Sequence, residues 1–120
     1  MVSKNNFNPV LEDLLAQNSD IQSALVGTLD GIALASVQLS NISGRLAAMS
    51  SAALGLGRQL ITTICNGNLN EIKVSGDKGQ VFIYSITNKA VLVVVTKNEP
   101  NVAMVNWESQ KTVKQLASIL

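Results

Sequence analysis

The chain has 120 residues, room for one domain with a single hydrophobic centre. Apolar residues make up 47% and charged residues only 14%, which excludes a solvated, disordered chain and leaves part of the surface to be covered, self-association being the simplest cover. The net charge is +1, with the nine basic residues scattered along the chain, so no electrostatic footprint for nucleic acid or for an anionic membrane is expected.

Residues 1–8 are expected to form an N-terminal tail ahead of a single domain over 9–120. This tail lacks the apolar run of a signal peptide, and a cytoplasmic location is expected. Asn8-Pro9 has the form of a helix N-cap followed by Pro at the first helical position, with Glu12 and Asp13 suited to the positive helix end. A helix over about 9–17 follows, with Leu11, Leu14 and Leu15 inward and Val10 beside them. Residues 21–29 read as a strand, Asp30-Gly31 as a type I′ hairpin turn and 32–37 as the return strand.

Ser40 or Asn41 can cap a long helix that runs to about Cys65 and ends near Asn66-Gly67. Within it, residues 43–57 include ten Gly, Ala or Ser among fifteen, a smooth surface suited to close contact with another backbone. At 100° per residue, Ile42, Leu46, Met49, Ala53, Leu56, Leu60 and Ile64 form one stripe, expected to face the sheet. Ala47, Ser50, Leu54, Ile61 and Cys65 gather on a second flank. A helix of about 24 residues is roughly 36 Å long, against a radius of gyration of about 14 Å for such a domain. The second flank would therefore lie open along the whole molecule, and Ala47, Ser50, Leu54 and Ile61 are expected to meet a second copy in a symmetric dimer.

Strands over 69–75, 80–86 and 90–96 form a meander, separated by Gly76-Asp77-Lys78-Gly79 and by a tight turn around Asn88-Lys89. The run Ala90-Val-Leu-Val-Val-Val95 is apolar on both faces and belongs at the sheet's centre. Pro100 precedes a last helix over about 101–118, with Val102, Val105, Val113, Leu116 and Leu120 on one side. The order helix, two strands, long helix, three strands, helix implies an α+β fold: one antiparallel five-stranded sheet with helices on both faces.

Little here supports catalysis. The chain has no His and one Cys, which excludes Ser-His-Asp and Cys-His arrangements and leaves the thiol without metal co-ligands; no cofactor and no metal are expected. Cys65 is expected as a buried filler at the helix end. The apolar stretch between Arg45 and Arg58 holds twelve residues, short of the roughly 20 of a membrane span. Gly55-Leu-Gly57-Arg58 sits inside a helix, the wrong context for a phosphate loop. Trp107, the only Trp, falls off the apolar stripe of the last helix beside Met104 and Lys111, and these three are candidates for partner contact.

The chain resembles the Roadblock/dynein light chain family, which includes bacterial gliding-motility GTPase regulators. The resemblance is carried by Leu11-Glu-Asp-Leu-Leu15, by Leu29-Asp-Gly-Ile-Ala-Leu-Ala-Ser36, and by the helix through Ala47, Ala48, Ala52 and Ala53. Leu69-Asn-Glu-Ile-Lys-Val74 and Ala90-Val-Leu-Val-Val-Val95 complete it, so that it covers about residues 9–120. It implies a profilin-like α/β/α sandwich and a homodimer or heterodimer whose strand at 69–75 pairs with its twin. Antiparallel pairing there places Glu71 near Lys73 of the partner, with Ile72 and Val74 on the other side, so Glu71, Ile72, Lys73 and Val74 join the expected interface. The resemblance also implies a non-enzymatic module that binds and regulates or scaffolds a small Ras-like GTPase; some members attach to dynein. A domain holding a small ligand between sheet and helix is the alternative, and it requires an internal pocket with a few convergent polar groups.

Overall fold

The uninterrupted apolar run of residues 90–95 decides the architecture, because a strand apolar on both sides is stable only with cover above and below. In the computed structural model, which describes residues 4–120, this run lies in β5 (Ala90–Thr96), the middle strand of five. The other elements are α1 (Lys4–Gln17), β1 (Ile21–Thr28), β2 (Ala33–Val37), α2 (Ser43–Cys65), β3 (Glu71–Ser75), β4 (Gln80–Ile86) and α3 (Val102–Ala117). The sheet has the order β2-β1-β5-β4-β3 and every pairing is antiparallel.

Two apolar layers sandwich the sheet. On one face Phe7, Leu11 and Leu14 of α1 and Val105 and Leu116 of α3 pack on Val26, Phe82, Tyr84, Leu92 and Val94. Val113 and Leu120 pack around that layer, whereas Val102 is exposed. On the other face Ala47 and Leu54 of α2 pack on Leu25, Ile83, Val91 and Val93. Alternate residues of β5 thus feed the two layers, as the strand's period of two requires.

Several local expectations are corrected. Helix α1 does not start at Pro9: residues 4–8 are helical, and Pro9 lies inside the helix on its exposed side. Burial of Phe7 one turn before Leu11 extends the helix past the proline. Residues 1–3 of the expected tail lie outside the described residues. The β1–β2 connection is not a type I′ turn, since only Gly31 has positive φ, at 94°. The loop instead closes with the Thr28 N–H donating to the Ile32 carbonyl at 2.8 Å. The two-residue turn with both φ positive occurs at Thr87-Asn88.

Helix α2 begins after Ile42 with no side-chain cap from Ser40 or Asn41. Its C-terminal left-handed residue is Asn66, at φ 53°, ahead of the expected Gly67. Strand β3 starts at Glu71, two residues after the expected start.

Candidate functional site

The largest correction concerns which side of α2 faces the sheet. Ala47, Ser50 and Leu54, expected to meet a twin, are buried against this chain's own sheet, with exposures of 0%, 2% and 1%. They have no surface left to offer a second copy. Of the stripe expected inside, Leu46 and Ala53 are half-buried, while Ile42, Met49, Leu56, Leu60 and Ile64 face outward, Leu56 at 60% and Ile64 at 77% exposure.

The physical reason lies in β1 and its loop. A Cβ added at Gly27 would meet the Ala47 Cβ at 3.4 Å, and one at Gly31 would meet the Ala48 backbone at 3.1 Å. Near Gly27 and Gly31 the helix sits so close to the sheet that only small residues fit, and this sets its rotation: Ala47 and, two turns on, Leu54 face the sheet, while the large residues of the stripe are turned away. The smooth surface does touch another backbone, but that backbone is the strand hairpin of the same chain. Gly31 and its positive φ are the sequence signal for this approach.

The outward stripe continues onto the sheet edge. At Gly57 an added Cβ would lie 2.7 Å from Ile72 Cδ1, so α2 and β3 are in tight contact there. A groove of about 350 Å³ runs between them, lined by Leu56, Leu60, Ile61, Leu69 and Ile72. Ile61 is half-buried in its wall. Further along, Val74, 54% exposed, lines a second groove with Leu46 and Met49. Arg58, on the other flank of α2, donates to Ser85 Oγ at 2.8 Å and fixes the helix over β4.

Strand β3 is a sheet edge bonded only to β4 among the described residues. Lys73 is exposed. Glu71 is engaged within the chain: its Oε2 accepts from Asn106 Nδ2 at 3.1 Å, and Asn106 Oδ1 accepts from the Tyr84 hydroxyl at 2.6 Å. Burial, reinforced by the negative charge of Glu71, pushes the Tyr84 phenol up to about 12. This relay ties the edge strand to α3.

Trp107 is 59% exposed on the outer side of α3, with Lys111 Nζ 4.7 Å from its ring centre and Met104 exposed beside it. The structure therefore gathers the three residues that the sequence singled out. Cys65, expected as a buried filler, is exposed. Among the described residues no group of three or more Cys, Asp or Glu is placed to hold a metal ion, and no helix is long and apolar enough to cross a membrane.

A Roadblock/LC7 domain model matches residues 9–96. Among solved structures, a Roadblock/LC7 domain from Streptomyces avermitilis superposes with a TM-score of 0.88 at 20% identity, covering 92% of this chain and 94% of that one. MglB from Myxococcus xanthus superposes with a TM-score of 0.86 at 19% identity, covering 97% and 88%. Profilin IA of Acanthamoeba castellanii shares the fold at a TM-score of 0.62 and 13% identity, covering 93% and 97%. No curated protein sequence matches the chain. At these identities the superpositions establish the profilin-like fold.

Proposed function

The chain belongs to the Roadblock/LC7 domain family, and from that premise we propose that it is a non-enzymatic, dimeric interaction module that binds a small Ras-like GTPase and regulates or scaffolds it. The observation that supports this most is the outward apolar stripe of α2 beside the unpaired edge of β3. A soluble monomer rarely presents so many large apolar side chains in one continuous patch, and such patches mark interaction surfaces.

In the proposed dimer, β3 pairs antiparallel with its twin to continue the sheet, with the turn of register near Ile72. Ile72 and Val74 then extend the apolar α2 layer, and Leu56, Leu60 and Ile64 supply the helix-side contact in place of Ala47, Ser50 and Leu54. Lys73 faces Glu71 of the second copy, adding a charge pair to the bond that Glu71 makes to Asn106. The edge charges also disfavour pairing with unrelated strands.

The role is one of surface complementarity. The family resemblance implies that the groups that hydrolyse GTP belong to the GTPase, and in this reading the chain supplies shape and apolar contact. The test is capture of small Ras-like GTPases by the immobilised protein, with each GTPase loaded with GDP or with a non-hydrolysable GTP analogue, followed by hydrolysis and exchange assays. Retention in one nucleotide state over the other is expected, and equal absence of binding in both states contradicts the reading.

A further inference from the structure

Helix α3 lies on the sheet face opposite α2, and its outer side carries a second surface that the α2 reading does not use. Trp107 and Met104 are exposed there, and with Ala103 they line a shallow apolar hollow of about 480 Å³. Exposed Trp is the side chain most enriched at interface hot spots, and Met adapts its shape to an occupant.

Within α3 the outward charges have one sign. Lys111 and Lys114 are both exposed, whereas the only carboxylate of the helix, Glu108, is turned inward at 8% exposure. The Lys111 ammonium lies over the indole ring, 4.7 Å from its centre. Its approach to Glu108 is long, at 3.9 Å, and the Lys111 side chain stays 48% exposed. Lys114 follows two helical turns beyond Trp107, about 10 Å along the axis.

We infer that the outer side of α3 docks an acidic amphipathic segment of another protein, an apolar residue filling the hollow at Met104 and Trp107 and carboxylates reaching Lys111 and Lys114. Charge complementarity selects this occupant: the helix offers apolar area plus two outward cations, and its own carboxylate, Glu108, is turned inward. Two lysines, each worth about 1 kcal/mol at an anionic bilayer, with one Trp, fall short of stable anchoring to lipid.

The chain's single Trp makes the test direct, because indole fluorescence reports this site alone. The full chain is titrated with a synthetic amphipathic helix bearing Leu on one side and Glu on the other, with the same peptide carrying Lys in place of Glu, and with phosphatidylserine vesicles. The Glu peptide is expected to shift the emission to the blue in a saturable, salt-sensitive manner, and the K111E/K114E variant, with native helicity by circular dichroism, to weaken it about tenfold or more. L56E/L60E, which alters the α2 surface, is expected to leave the response unchanged, so failure of the α2 reading does not carry over to this one. No shift with the Glu peptide, an equal shift with the Lys peptide, or a response to vesicles alone overturns the inference.

Discussion

Tyr84 shows how one buried hydroxyl holds two elements in register. Its ring is almost fully buried under α3, and its O–H donates to Asn106, which in turn donates to Glu71 on the sheet edge. A buried hydroxyl without a partner costs about 1–3 kcal/mol, so the relay fixes where β3 sits relative to α3. Ionising the phenol in this setting is disfavoured, and the folded value rises to about 12 from an ordinary 10.0. A raised folded value means that the contribution is fully present below the unfolded value and is lost as pH rises from about 10 through about 12, because the unfolded chain ionises first. Tyr84 is the only tyrosine, so tyrosinate absorbance reads it without overlap. The native protein is expected to titrate with a midpoint near 12, and Tyr84→Phe to remove that part of the alkaline loss of stability. A midpoint near the ordinary value would contradict the burial argument.

At the scale of elements, α2 carries two apolar faces with different duties. Leu54 is 1% exposed and Leu56 60% exposed, two residues apart on one helix. Leu54→Ala is expected to cost about 3 kcal/mol through loss of burial and a residual cavity. Leu56→Ala is expected to change the intrinsic stability of the protomer by less than about 0.5 kcal/mol. Denaturant unfolding of both variants at low protein concentration, where association contributes least, checks the pair; a larger cost at Leu56 than at Leu54 would return the helix to the orientation expected from its stripe. The order of all eight elements and the central place of β5 were legible in the sequence, because doubly apolar runs and turn residues reflect local chemistry. The facing of α2 was not. The apolar stripe at helical spacing points Met49, Leu56 and Leu60 inward, whereas the close approach of Gly27 and Gly31 to Ala47 and Ala48 decides the opposite. That approach joins residues distant in sequence. Phe7 likewise extends α1 beyond Pro9 through tertiary burial.

At the scale of the molecule, the five-stranded sheet separates two exposed apolar surfaces. The α2–β3 side is broad, mainly apolar along its helix stripe with Arg45 at one end, and includes a strand edge bonded only to β4 among the described residues, features that favour a second copy of the chain and a protein partner. The α3 side is small, centred on one Trp, and flanked by cations. A module built this way can associate through one side while the other remains available. The charge of +1 gives little long-range repulsion between copies, so in the proposed dimer apolar contact at α2 and strand pairing at β3 carry the association. The most direct measurement is sedimentation velocity of the wild-type chain beside the L56E/L60E variant, with circular dichroism to confirm that the variant keeps its helices. A dimer is expected for the wild type and a folded monomer for the variant. A wild type that sediments as a monomer, or a variant that stays dimeric, would contradict association through the α2 stripe.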